Sequence, residues 1–406
     1  MKGLYVLKKR WLLYSLLSVT SLWGEDTLLS TLKEEQFRLD TAKASLQSDS
    51  LRDSWLQPIQ LRYSYGKSDQ YDGDSTTQNA SVSIDQPIFR SGGIYYGIKF
   101  SEASRRYSNL SIQAARQKLI KEAVSLLMQI RQSDLRIAKQ ELLIANSVLN
   151  LELKTESYLH GELDSGFLDN AIIEKNTLTQ NLYDMQTLKE RLISAYESIS
   201  DAPYATTEIP TLALIDSERF ESEAIDLQMA QSENEKNRWN ANVTRAKYLP
   251  QVSVNAAYNW NKIENPAFAG SVMPILAESR YTTYGLSASM PLDFNEFRDM
   301  EAARIETLKS GVKIADKRRE LHSLYQQVRQ NLMNSDKKIA LARQNQMLYE
   351  KLLGDTRELF KAGYKTEYDV NILSNSAKIQ NIETQIIDVD RQLELLNLYE
   401  KVNSAI

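Results

Sequence analysis

Val252-Ser253-Val254-Asn255-Ala256-Ala257-Tyr258-Asn259-Trp260 places Val252, Val254, Ala256, Tyr258 and Trp260 at alternate positions, with Ser253, Asn255, Ala257 and Asn259 between them. Successive side chains of an extended chain point to opposite faces, so this period predicts a strand with one apolar and one polar face. Tyr284, Leu286, Ala288 and Met290 alternate in the same way with Gly285, Ser287 and Ser289. Earlier in the chain Ile59-Gln60-Leu61-Arg62-Tyr63-Ser64-Tyr65 repeats the pattern, as does Asn79 to Asp85 with Ala80, Val82 and Ile84. The polar faces are mostly Ser, Asn, Gln and Thr, with few of the charges a soluble sheet displays, and the apolar faces carry Tyr and Trp. That combination fits a barrel wall with lipid outside and water inside. For the strands taken alone, two soluble hairpins packed on helices remain an alternative.

Four strands cannot close such a barrel. About eight is the smallest number that spans a membrane, and an open edge in lipid costs several kcal/mol per unpaired backbone group. Several chains must therefore share one barrel; three would supply twelve strands and an open lumen, whereas two would supply eight and a filled interior.

The order of signals is written twice. Pro58 and Pro250 each open an alternating segment, Pro87 and Pro291 each close the second, and a long helical region follows each time. The spacing predicts a signal peptide over 1–24, a first structural repeat over 25–205 and a second over 206–406. The leader rests on Lys2, Lys8, Lys9 and Arg10, then the apolar run Trp11 to Trp23, with cleavage expected near Gly24.

Between the strand pairs the helices are long. From Ile94 to about Leu159 there is no proline, and Ala123, Ile130, Ile137, Ile144 and Leu151 recur every seventh residue. Glu296 to Phe360 repeats this, with Leu321, Val328, Ala342 and Tyr349 in one register. Shorter helices follow, with seams at Ala171, Leu178, Met185, Leu192 and Ile199 and at Ile372, Ile379, Ile386, Leu393 and Leu396. Such seams specify coiled-coil packing between antiparallel neighbours. Segments 27–54 and 215–247 lead into the strand pairs.

Composition removes whole classes of function. The 406 residues include no cysteine and 2 histidines, so a disulfide framework, cysteine-ligated zinc, an iron–sulfur cluster and a thiol nucleophile are excluded. No catalytic, cofactor or metal residues are assigned and the chain is not read as an enzyme; paired carboxylates on long helices are ordinary surface features. No run of 18 apolar residues appears, which excludes a polytopic helical membrane protein. The net charge of −4 becomes four units more negative once the basic leader is removed, which argues against a nucleic-acid partner.

Three segments carry a resemblance. Ala246-Lys247-Tyr248-Leu249-Pro250-Gln251-Val252, Gln86-Pro87-Ile88-Phe89-Arg90-Ser91-Gly92-Gly93 and Gly363-Tyr364-Lys365-Thr366-Glu367-Tyr368-Asp369-Val370 look like the strand entry, strand exit and helix-tip turn of the outer membrane efflux protein family, the TolC-like channels. The resemblance covers nearly the whole chain after the leader. It implies a mainly α protein with β: a long antiparallel α-helical barrel, internally duplicated, with four strands contributed to a shared transmembrane β-barrel of about twelve. It further implies a homotrimer in the outer membrane of a Gram-negative bacterium, extending into the periplasm. There it would export small molecules or proteins in tripartite efflux or type I secretion, with a periplasmic adaptor and an inner-membrane transporter. The tips at 160–168 and 361–368 would form the entrance, and Gly161, Gly166, Gly363 and Tyr364 the adaptor contact.

In the family an Asp after the second tip projects into the entrance, and Asp369 occupies that place. The family's second acid, three residues on, is here Ile372, which leaves an acidic or an apolar gate open. Lys365 is expected to pair with Asp169 and hold the entrance shut, or else both are exposed charges. Leu163 aligns with Gly363 in this reading. The lipidated cysteine that many relatives carry has no counterpart. A competing assignment, a soluble periplasmic coiled-coil adaptor or scaffold without a pore, calls for one hairpin between matched β halves, whereas this chain carries two strand-then-helix copies.

Overall fold

The computed structural model describes residues 28–69, 74–265 and 275–402; the expected leader and its cleavage site lie outside the described residues. The first set of elements is α1 (Thr31–Arg52), β1 (Gln60–Ser68), β2 (Ser75–Phe89), α2 (Gly93–Leu159) and α3 (Ser165–Glu197). The second is α4 (Ser217–Glu223), α5 (Ile225–Lys247), β3 (Gln251–Asn265), β4 (Ile275–Ser289), α6 (Glu296–Lys361) and α7 (Glu367–Tyr399). α2 and α6 run for 67 and 66 residues, each about 100 Å at about 1.5 Å per residue.

The four strands form one antiparallel sheet in the order β1-β2-β3-β4. The two copies meet at its centre, where β2 pairs with β3 from Thr76–Glu264 to Phe89–Val252. A bulge between Pro87 and Phe89 ends the ladder where proline has no N–H to donate. Below β1, Gln86 takes over the missing pairing: its Oε1 accepts from Gln57 N at 3.1 Å and its Nε2 donates to Trp55 O at 3.1 Å. The turn into α2 uses left-handed backbone at Ser91 and Gly92, φ 49° and 86°, and Ser91 Oγ donates to Pro250 O at 2.6 Å, tying one copy to the other.

The helices form columns beneath the sheet. α1 continues the line of α3, since Ser30 N donates to Ile199 O at 2.8 Å and Thr31 N to Asp201 Oδ2 at 2.8 Å. α5 continues α7 through Ile225 N to Lys401 O at 2.8 Å and the Ala224–Val402 bridge. α2 packs against α1, α3, α5 and α7, and α6 packs against α5 and α7.

The densest packing is midway along the helices. Val124, Leu127 and Met128 of α2 meet Tyr196, Phe220, Val328, Leu395, Leu396 and Val402. The connection between α3 and α4 is anchored there by Leu212 N to Gln392 Oε1 at 2.7 Å and Tyr325 OH to Ile215 O at 3.0 Å. The predicted seams are fully buried in this zone, at Ala123, Ile130, Leu321, Val328 and Leu396, while toward the tips burial is mixed, with Ala171, Ala342 and Ile379 buried and Ile144, Leu151, Tyr349 and Ile372 half-buried. Two outer columns keep apolar residues in solvent. On α1, Leu32, Leu39 and Leu46 stand seven residues apart and are 81%, 56% and 71% exposed; on α6, Ile305, Leu308 and Val312 are likewise exposed.

Candidate functional site

The sheet has two chemically distinct faces, and cross-strand pairing assigns every residue to one of them. Leu61, Val82 and Tyr258 lie in one row, Tyr63, Ala80 and Trp260 in the next, and Ile84, Ala256 and Tyr284 in a third. Most of the large side chains among these are exposed, including Leu61, Tyr63, Val82, Tyr258 and Tyr284. On β3 the apolar run from Val252 to Trp260 would cover roughly 23 Å of height if its strand were tilted as in a membrane barrel. That is close to the apolar band of about 25 Å of membrane barrels. The opposite face holds a recess of about 590 Å³ lined by Gln60, Ser83, Asp85, Ser253, Asn255 and Thr283 among others.

At the far end of the helices the two tips share one geometry. α2 ends with Gly161 N donating to Tyr158 O and Glu162 N to Ser157 O, both at 2.9 Å; α6 ends with Gly363 N to Phe360 O at 3.0 Å and Tyr364 N to Leu359 O at 2.9 Å. Gly161 and Gly363 have φ of 73° and 83°, the left-handed conformation such a helix end requires and glycine adopts at least cost. Gly161 is thus the counterpart of Gly363, and Leu163 of Lys365, a correction to the alignment read from the sequence. Asp164 then caps α3 by accepting from Gly166 N at 2.8 Å, and Thr366 caps α7 by accepting from Asp369 N at 3.3 Å. Tyr364 is 81% exposed at the apex.

Asp369 is occupied locally. Its Oδ2 accepts from Thr366 N and Thr366 Oγ1, both at 2.9 Å, completing a reciprocal cap with the threonine. The Thr366 amide holds the carboxyl below the usual carboxylate range, with the Thr366 hydroxyl and Lys365 helping. The expected Lys365–Asp169 pair is not formed within the chain: Lys365 Nζ lies 3.5 Å from Asp369 Oδ1 instead. The reason is topological. Asp169 sits on the first hairpin's α3 and Lys365 on the turn of the second hairpin, and a lysine just ahead of a capped helix reaches the acid one turn into it. Because the folded carboxyl titrates below its unfolded value, its contribution to the tip is present above about pH 4 and falls away as pH drops through the folded pKa. Thr366→Ala should cost about 1 kcal/mol of local stability at neutral pH. Amide exchange at the start of α7 measures this, with faster exchange expected for residues 367–370; unchanged rates would remove the cap from the account.

A contact unforeseen from the sequence ties the hairpins together near the tips. Tyr368 OH donates to Glu156 Oε1 at 2.9 Å, which raises the tyrosine's pKa. Further along the same α2–α7 seam, Asn375 bonds Asn146 at 2.9 Å, Lys139 pairs with Glu383 at 2.6 Å and Gln132 bonds Asp390 at 2.5 Å. The α7 partners recur about every two turns, a spacing visible in the sequence once α7 is known to face α2. No group of side chains able to hold a metal ion occurs among the described residues. Where the strands enter the helices, the buried Tyr248 donates from its hydroxyl to Asp299, and this bond with burial pushes its pKa up to about 12.

Residues 218–395 match the sequence model of the outer membrane efflux protein family. No curated protein matches the chain in a sequence search. Among solved structures, the Campylobacter jejuni CmeC outer membrane channel superposes with a TM-score of 0.69 at 12% identity, covering 93% of this chain and 85% of that one. The Vibrio cholerae outer membrane protein VceC gives 0.66 at 16% identity over 92% of this chain and 94% of that one. The open state of the Neisseria gonorrhoeae MtrE outer membrane channel gives 0.62 at 12% identity over 91% and 86%. Residues 218–395 thus carry the sequence signature of an outer membrane efflux protein, and over most of its length the chain has the fold of these outer membrane channels.

Proposed function

We propose that three copies of this chain close a twelve-stranded barrel in the outer membrane and continue below it as a helical tunnel, through which small molecules or proteins are exported. The observation that carries this reading is the two-faced sheet whose β1 and β4 edges have no partner strand among the described residues. An open edge cannot face lipid, and joining β4 of one copy to β1 of the next satisfies all edges at once. The exposed stripes on α1 and α6 lie on the outer columns, where neighbouring copies would bury them. A pore-free scaffold would leave Leu61, Tyr63, Tyr284 and Leu286 in water with nothing to cover them. Cell fractionation tests the location. The protein should stay in the outer membrane through a high-salt wash, and its recovery in the soluble periplasm would contradict the reading.

Gly161, Gly166, Gly363 and Tyr364 then form the surface offered to a periplasmic adaptor, and an inner-membrane transporter supplies the energy. Asp369 and Ile372 would ring the entrance, and Lys365 could meet Asp169 only between copies. Three facing carboxylates raise one another's pKa and attract cations, against the lowering that Thr366 imposes. Asp369→Asn should change single-channel conductance or its block by divalent cations in planar bilayers, while Thr366→Ala, which loosens the cap without removing charge, should leave the block intact. No effect of Asp369→Asn on either quantity removes it from the gate.

A further inference from the structure

The charges on the two faces of the sheet are treated differently. On the apolar face, at the end distal to the helices, Lys67 pairs with Asp74 at 2.5 Å, Lys262 with Glu264, and Arg280 with Glu278 at 2.6 Å. Glu278 also accepts from Trp260 Nε1 at 2.8 Å. These strand-end charges at the lipid-facing rim are each paired with a neighbour, as a site of poor solvation favours. On the polar face, the register leaves Arg62 and Asp85 as the charged residues among the described strand positions; the rest are Ser, Asn, Gln, Thr, Gly and a few apolar residues. Both are exposed, and neither side chain has an ion-pair partner within 4.0 Å among the described residues. Asp85 opens into the luminal recess. Arg90 lines the same recess below it and makes no ion pair with it.

Arg62 pairs across to Ser81, four positions from Asp85 on β2, which separates the two levels by about 13 Å along the strand. With the strands tilted this is about 10 Å along the barrel axis, comparable to the screening length of about 10 Å at 0.1 M salt, so the two levels act on a passing ion as distinct sites. We propose that Arg62 and Asp85 form two opposed charge rings in the closed barrel, one basic and one acidic, and that these rings set its preference between small cations and anions. The proposal rests on the trimeric channel reading above, which puts three copies of each charge around one lumen. Unpaired charges facing water in a confined pore are the arrangement by which a channel wall selects ions, and a neutral amide and hydroxyl wall contributes little beside them.

Reversal potentials across planar bilayers under a potassium chloride gradient test this. Arg62→Gln should raise the cation-to-anion permeability ratio by about twofold or more, and Asp85→Asn should lower it by a similar factor, because each removes one ring's worth of charge. The double variant should return toward the parent ratio, and the charge-preserving Arg62→Lys should leave it unchanged. Ser81→Asp, which places an acid beside Arg62 without touching it, should act in the direction of Arg62→Gln, so the basic ring is testable even if an Arg62 variant fails to assemble. Channels that form normally with unmoved ratios, or with both single variants moving the same way, overturn the proposal. Failure of the parent protein to conduct at all would instead overturn the channel reading on which it rests.

Discussion

Ala256→Arg should abolish recovery of the assembled, membrane-inserted protein, whereas Ala257→Arg should be tolerated. These are neighbours in the sequence, and the register places them on opposite faces: Ala256 between Ile84 and Tyr284, Ala257 between Ser83 and Thr283. Arginine near the middle of the lipid-facing band costs about 2–4 kcal/mol. In the proposed trimer three copies incur that cost together. At Ala257 the guanidinium enters a polar, water-filled space and costs little. Outer-membrane fractions and the yield of intact oligomer after mild detergent extraction read the difference. Equal tolerance of the two variants would mean that the apolar face does not contact lipid.

Phe220→Ala should be the most damaging single change in the helical region. Phe220 is 2% exposed, its ring lies 5.6 Å from that of Tyr325, and both belong to the midway core where the loop between the copies crosses the helices. Truncating a buried phenylalanine costs about 3–5 kcal/mol through lost burial and the cavity left behind. Tyr325→Phe keeps the ring and removes only the bond to Ile215 O, so its cost should be smaller, about 1–3 kcal/mol. Denaturation of the detergent-solubilised protein followed by helix signal gives both values, and the order Phe220→Ala worse than Tyr325→Phe is the expected result.

Much of this architecture is legible in the sequence because its elements are long and strictly periodic. The alternation from Val252 to Trp260 and the sevenfold spacing of Ala123 and Ile130 each need only a local rule. The strands run further than the alternation suggests. β3 continues to Asn265 and β2 begins at Ser75, since the outward positions become Lys262 and Glu264 where the strand leaves the hydrocarbon and the apolar signal stops. The strand order was not legible, because β2 meets β3 across a sequence gap that no local pattern bridges.

At the tips the sequence was misread in a way the physics explains. Matching Leu163 with Gly363 ignores the need for a positive φ, which only Gly161 meets at the equivalent place. Thr366-Glu367-Tyr368-Asp369 has the spacing of a reciprocal helix cap, so a structural duty for Asp369 was readable beside the gate role that the resemblance implies. The Tyr368–Glu156 bond was beyond reach, since it depends on which face of α7 lies against α2.

The chain has no cysteine of its own, so engineered pairs report edge contacts without background. Within one copy β1 and β4 are separated by two strands, about 14 Å, far beyond the roughly 7 Å limit for a disulfide. Ser64→Cys on β1, combined in turn with Ser279→Cys, Thr283→Cys or Ser287→Cys on β4, should therefore link only different copies. The expected result is a ladder of products under oxidation that ends at three chains for the pair in register. Products that never exceed one chain, from a protein that is monodisperse as a single copy in plain buffer, would contradict the shared barrel.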